Sequence, residues 1–457
     1  MRFIENKTFD ELKLGDFAEI TRAFGVAAQD AAPTDAGEAR AVVPGGWLST
    51  LLFELIETRL PGPGARVLGH SLEFTRPAEP GESVTARVAL REKSTDAPRI
   101  RLDCVCLDGQ GGVLAKGEAR VLAPTQKTRR PVVAAPAPLH ERGARYRELI
   151  AAAKTLRPIR TGVVHPCDEA SLVGALKAAE AGLIVPILVG PEARIRATAE
   201  AAGQSLEGVE LVAAPHSHAA AERAAALTRE GRVEALMKGA LHTDELMSAA
   251  LNPEVGLRTE RRMSHVFAID VPNYPKPLFI TDAAINIYPD IETKRDIVQN
   301  AIDLAQALAI DPPKVAILSA VETVNPKIPS TVDAAALCKM ADRGQIVGGL
   351  LDGPLAFDNA VSKEAARAKG IVSTVAGDAD ILVAPDLEAG NMLAKQLVYL
   401  AGAEMAGLVL GARVPIVVTS RADGVLARLA SAALAQIFAH RRHFGGRRAG
   451  PGGRMAP

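Results

Sequence analysis

Cysteine is scarce in this chain of 457 residues: Cys104, Cys106, Cys167 and Cys338 are the four present, and no two form a C-x-x-C pair. That excludes a disulfide framework and a zinc knuckle, and the four read as reduced thiols. An excess of either charge is also lacking. Lys+Arg and Asp+Glu both number 53, so there is no global basic field to draw nucleic acid and no acidic surplus. No run of about 18 apolar residues occurs, and Met1 to Asp10 has no apolar core. Neither membrane insertion nor export is expected, and the cytoplasm is the expected location. No G-x-x-x-x-G-K-[ST] is found and no G-x-G-x-x-G follows a strand-like run, which removes the phosphate loops of kinases and dinucleotide enzymes. His216 and His218 fall in an AAPHSHAA loop and His440 and His443 in a basic tail, so no metal is expected.

What is present suits a soluble globular protein, with 48% hydrophobic and 23% charged residues, long enough for two to four domains. Residues 1 to 125 read as an α+β domain. An apolar helix, Trp47 to Leu60, ends at the PGPG of 61 to 64. Strands follow at Ser71 to Phe74, Ser83 to Arg91, Arg99 to Leu107 and Val113 to Leu122, separated by turns at Pro80-Gly81 and Gly109 to Gly112. Residues 126 to 143, within APTQKTRRPVVAAPAPLHERG, read as a linker. From 144 to 440 buried strands alternate with helices, which predicts a parallel, doubly wound α/β sheet in two lobes. Lobe one takes about 144 to 265 plus 407 to 440, and lobe two about 266 to 406, with a cleft between them. The basic, Gly-rich 441 to 457 reads as a disordered tail.

One junction stands out. PIVVTS runs into RADGVLARLASAALA, so that a buried strand meets a helix through Ser420, Arg421 and Asp423, with apolar Val425, Leu426, Leu429 and Ala433 at helical spacing. Unpaired N–H groups at a helix start beside an arginine make a cradle for phosphate or a developing oxyanion. Ser420 or Asp423 is expected to cap the helix.

Segments around this junction resemble the phosphate acetyltransferase and phosphate butyryltransferase family: LMKGALHT at 236 to 243, LNPEVGLRTERRMSHVF at 251 to 267, ITDAAINIYPD at 280 to 290, VETVNPKIPSTVDAAALCKMADRGQI at 321 to 346, DGPLAFDNAVS at 352 to 362 and VAGDADILVAPDLEAGNM at 375 to 392. The resemblance implies acyl transfer between coenzyme A and inorganic phosphate, on two α/β lobes similar to the isocitrate dehydrogenase-like fold. It implies a homo-oligomer, coenzyme A as substrate and no tightly bound cofactor. The family's Ser-Arg pair carries over to Ser420 and Arg421. The base some relatives place seven residues after the serine is Ala427 here, so Asp423 is the candidate base for the thiol. Arg258, Arg261 and Arg262 lie in the matching segment, and Arg258 is the candidate phosphate ligand among them, the other two reading as surface charges; a helix position that is Arg in some relatives is Ser248 here. His242, Thr243, Asp282, Asn286, Glu322, Asn325, Asp352, Asp358, Asp378 and Glu388 sit near predicted strand ends and complete the expected substrate-binding set. Cys167 and Cys338 lack a local activating histidine, so direct transfer is expected rather than an acyl-enzyme. A non-catalytic acyl-CoA-sensing module is the competing reading, and the retained Ser-Arg pair argues against it.

The front segment LPGPGARVLGHSLEFTRPAEPGESVTARVALREK resembles the hot-dog fold of MaoC-like enoyl-CoA hydratases. That family's D-x4-H pair is absent, since no histidine precedes His70. Asp30 and Asp35 stand nearby without an acid/base partner, and hydratase activity is expected to be missing.

Overall fold

A computed structural model describes residues 3–23, 45–79, 82–131, 142–419 and 423–445. The chain divides into two compact units, Met1–Glu141 and Arg142–Pro457.

The first unit contains β1 (Phe3–Glu5), β2 (Phe17–Ala23), α1 (Gly45–Thr58), β3 (Arg66–Phe74), β4 (Ser83–Lys93), β5 (Arg99–Leu107), β6 (Val113–Leu122) and β7 (Arg129–Pro131). Five strands pair antiparallel in the order β2-β4-β5-β6-β3. Period-2 alternation puts Val84, Ala86, Val88 and Leu90 of β4, and Ile100, Leu102, Cys104 and Cys106 of β5, on the buried face. Leu48, Leu51, Leu52, Leu55 and Ile56 recur at helical spacing along α1 and pack into the same core. Each contributes about 2 kcal/mol by leaving water. The expected linker is partly strand: β7 pairs with β1, and Asn6 braces the junction by accepting from the Thr128 amide and donating to Pro63 and Gln126 carbonyls. Asp30, Asp35 and the Pro80-Gly81 turn lie outside the described residues.

The second unit contains α2 (Ala144–Ala153), β8 (Ile159–Val164), α3 (Glu169–Glu180), β9 (Ile184–Gly190), α4 (Glu192–Ala201), β10 (Glu210–Ala213), α5 (Ser217–Arg229), β11 (Ala235–Lys238), α6 (Thr243–Leu251), β12 (Ser264–Asp270) and β13 (Leu278–Thr281). It continues with α7 (Ile291–Ala307), β14 (Lys314–Leu318), α8 (Pro329–Asp342), β15 (Leu350–Leu355), α9 (Phe357–Val361), α10 (Lys363–Ala368), β16 (Ile381–Val383), α11 (Leu387–Ala401), β17 (Glu404–Leu410), β18 (Ile416–Val417) and α12 (Val425–Gly445). Residues 441–445, expected in the tail, thus continue α12.

All these strands join one sheet of 11, in the order β10-β9-β8-β11-β18-β17-β12-β13-β16-β14-β15. The expectation of a parallel sheet is corrected here, because the sheet is mixed. β10, β9, β8, β11 and β18 are mutually parallel, as are β13, β16, β14 and β15. Between the two sets, β17 and β12 run antiparallel to each other and to β18 and β13. The cause is local: β12 folds back into β13 through the short 271–277 connection, which forces reversal. The two parallel sets therefore point in opposite directions, and their carboxyl ends lie at opposite edges of the sheet.

One row of paired residues crosses ten strands: Leu211, Leu188, Val163, Met237, Val417, Leu408, Val266, Thr281, Val383 and Ile317. All but the end member Leu211 are buried. The apolar members pack in a single core cluster with α3, α7, α8 and α12. The expected lobes are thus halves of one sheet with a continuous core on that face.

Candidate active site

Ser420 and Arg421 lie outside the described residues, and the geometry concerns what surrounds them. β18 and β11 are parallel neighbours, with Met237 opposite Val417. Thr419 therefore leaves the sheet at the edge where Lys238 leads through Gly239 into His242 and Thr243. His242 stands at the N-cap of α6, exposed and without a side-chain bond to the helix, and Thr243 is the first helical residue. Gly239 is required for close approach: its amide donates to the Val164 carbonyl at 2.9 Å, and a Cβ there would meet the His165 carbonyl oxygen at 2.6 Å. The Ala240 amide donates to that same oxygen at 2.8 Å.

His165, which sequence reasoning passed over as the end of a GVVHP strand, holds φ at 55° although it is not glycine. It is buried, and its Nδ1 has no hydrogen-bond partner. Burial, assisted by the Arg194 charge, keeps its pKa below the ordinary histidine value, which favours the neutral ring.

Arg428 is the second residue missed. It sits one turn into α12, 8% exposed, with Nη1 donating to Thr419 Oγ1 at 2.9 Å and Nε to the Asp423 carbonyl at 3.2 Å. An arginine inside an alanine-rich helical run was the available signal. α12 begins at Val425, the Gly424 carbonyl accepts the Arg428 amide at 3.2 Å, and half-buried Asp423 stands ahead of it, while Ser420 lies outside the described residues.

The other candidates are not brought together with this turn. Asp282 follows β13 at the opposite edge of the sheet. Its buried carboxylate accepts from the amides of Ala284, Ile285 and Asn286 and from Asn286 Nδ2, so it knits its own loop. Burial raises its pKa against those hydrogen bonds. Asn286 also donates to the Met263 carbonyl at 2.9 Å. On the same edge, Glu322 pairs with Lys369 and Asn325 accepts from the Lys327 amide ahead of α8. Asp358 and Glu388 are exposed in the first turns of α9 and α11. Asp352 lies within β15 and accepts from the Gly353 amide. Asp378 does fall on the Thr419 edge, but Lys314 and Lys276 hold its carboxylate at 2.5 and 3.2 Å. Arg258 bridges to Ala412 just beyond the end of β17, exposed beside a concavity of about 740 Å³ also lined by Arg160, Glu234 and Arg413. β12 starts and β17 ends at this edge, so Arg258 lies at the edge opposite β18's carboxyl end.

Burial pushes the Cys338 thiol up to about 12 and raises that of Cys167 as well. Neither is activated as a nucleophile. Among the described residues no group of three or more His, Cys, Asp or Glu side chains gathers in a metal-holding arrangement.

The model of the family described as phosphate acetyl/butaryl transferase matches residues 215–436. A phosphate acetyltransferase of Rhizobium meliloti is 66% identical over 299 residues, covering 65% of this chain and 95% of that one. A phosphate butyryltransferase of Clostridium acetobutylicum is 41% identical over 294 residues, covering 64% and 98%. Among solved structures, a branched-chain phosphotransacylase from Enterococcus faecalis V583 superposes with a TM-score of 0.55 at 31% identity, over 62% of this chain and 99% of that one. The chain belongs to the phosphate acetyl and butyryl transferase family.

Proposed function

We propose that this protein transfers an acetyl or other short acyl group reversibly between coenzyme A and inorganic phosphate: acetyl-CoA + phosphate ⇌ acetyl phosphate + CoA. The observation that carries this reading is the 66% identity to a phosphate acetyltransferase over nearly all of that protein's length. A phosphate oxygen attacks the thioester carbonyl carbon, the carbonyl oxygen takes up negative charge, and the C–S bond breaks to release thiolate, which is then protonated. Arg421 is suited to the phosphate or the developing oxyanion, Ser420 to hydrogen bonding the reacting group, and Asp423 to removing the thiol proton in the reverse direction. His242 and Thr243, at the start of α6, are assigned to substrate binding. Direct transfer in a ternary complex is favoured by the raised thiol pKa values of Cys338 and Cys167.

The finer assignments belong to the same reading. Two opposed parallel sets sharing one sheet support an isocitrate dehydrogenase-like arrangement. The helix laid on an antiparallel sheet in the first unit supports a MaoC-like hot-dog domain; the protein is assigned to the cytoplasm as a homo-oligomer, and the front domain, without hydratase activity, either builds that oligomer or binds coenzyme A. Coenzyme A enters as substrate, with no tightly held cofactor.

The test is thiol release from acetyl-, propionyl- and butyryl-CoA in the presence and absence of phosphate. Release that requires phosphate, without metal or nucleotide, is expected. Binding of acyl-CoA with no release across the panel would replace the enzyme by an acyl-CoA-sensing module.

A further inference from the structure

The residues on either side of 420–422 are held by one side chain. The Arg428 fork reaches Thr419 Oγ1 through Nη1 and the Asp423 carbonyl through Nε, at 2.9 and 3.2 Å, from a site only 8% exposed. Thr419 is itself buried. Room for the arginine stem comes from α3, where a Cβ on Gly174 would lie 2.8 Å from Arg428 Cδ. Desolvating a guanidinium is costly unless its N–H groups are matched. Packing alone gives no reason for arginine here, because the neighbouring buried positions of α12, Ala427, Ala430, Ala432 and Ala433, are filled by alanine. What arginine adds is a rigid planar fork able to address two acceptors at once.

We propose that Arg428 is a positioning residue for acyl transfer. Its fork ties Thr419 to Asp423, the residues on either side, in sequence, of the expected Ser420-Arg421 pair and its neighbour. The inference rests on the transferase reading.

The test compares full-length wild type with Arg428→Met, Arg428→Lys and Gly174→Ala, by phosphate-dependent CoA release, thermal unfolding and hydrogen exchange of the amides from 423 to 428. Arg428→Met is expected to lower kcat about 100-fold with KM for acetyl-CoA and phosphate within about threefold, since a misplacement near 1 Å costs that much. Arg428→Lys should recover about a tenth of the wild-type rate, because an ammonium cannot reproduce the fork. Gly174→Ala displaces the arginine stem without changing any charge, and the same kcat loss at unchanged KM is expected. Exchange at 423 to 428 should quicken in the methionine variant.

A folded Arg428→Met protein with kcat within about twofold of wild type overturns the proposal, and so does a rate loss that only follows the lost folded fraction. If wild type itself releases no CoA, the transferase reading fails on its own. Unchanged exchange in Arg428→Met would then separately overturn the anchoring.

Discussion

Glu234 is the place where a pH effect can be worked through. It stands just before β11, the strand that leads into Gly239 and His242. Its carboxylate is 8% exposed and accepts from Arg157 Nη2 at 2.5 Å, Arg157 Nη1 at 3.1 Å and the Arg160 amide at 3.1 Å. Burial pushes its pKa up, but the Arg157 hydrogen bonds, the Arg160 amide and both guanidinium charges outweigh it and bring it from 4.5 to about 2. At about 1.4 kcal/mol for each tenfold change in proton affinity, that corresponds to roughly 3 kcal/mol. The Arg157 side chain is 56% exposed, and solvent screening brings the expectation down to about 2 kcal/mol. The folded pKa lies below the unfolded one, so the contribution is whole above pH 4.5 and is lost as pH falls toward 2. Urea unfolding of wild type and Glu234→Gln, followed by far-UV circular dichroism, measures it. That signal is dominated by the second unit, where α2 to α12 lie. Glu234→Gln should be less stable by about 2 kcal/mol at pH 7, with more than half of the difference gone by pH 3. Equal stability at pH 7, or a difference that widens on acidification, would refute the reasoning.

Arg421→Ala should lower turnover by about a hundred- to a thousand-fold, the cost of one preorganised donor to an oxyanion, with the unfolding temperature little changed. Comparable turnover in that variant would sink the assignment. Gly239→Ala should destabilise the second unit by about 1 to 3 kcal/mol, read by thermal unfolding, because its Cβ meets backbone that cannot step aside. Truncation near Ala134 should leave acyl transfer intact, and the full chain should not hydrate crotonyl-CoA. Hydration that vanishes when residues 1 to 125 are deleted would contradict this, and Asp30 and Asp35 would be the first residues to replace.

Much of the fold was legible because burial writes a simple period into half-exposed elements. β5 and β6 run over Arg99–Leu107 and Val113–Leu122, the limits their alternation predicts. α12 was harder. Its predicted apolar stripe begins at Val425, which is 43% exposed, whereas Arg428 and Ser431 are buried. Small alanines all round the helix flatten the periodicity that would orient it, and they let it pack against α2, α3 and the sheet together. β12 was read as motif rather than strand, and neither its direction nor that of β17 is encoded in any local pattern. Direction comes from the connections, and the 271–277 turn reverses every strand that follows in the second half of the sheet.

That reversal explains why residues chosen at strand ends fall at two separate edges. In an open parallel sheet the carboxyl ends share one edge and gather ligands there. Here they are divided between two edges, and a carboxylate near a strand end is more often used locally. Asp168, Asp290 and Asp386 each accept the amide three residues on, at 2.7, 2.8 and 2.9 Å, and start α3, α7 and α11. Asp282 accepts four N–H groups within its own loop. A sequence shows the same letter for a ligand and for a cap, and counting hydrogen bonds separates them. The turn after β18 is built differently. Its helix follows Gly424, and both flanks of the turn are held by a buried guanidinium brought from within α12. On the transferase reading, Thr419 and Asp423 flank the expected Ser420-Arg421 pair, and their anchoring by Arg428 is a feature that a search for carboxylates at strand ends does not find.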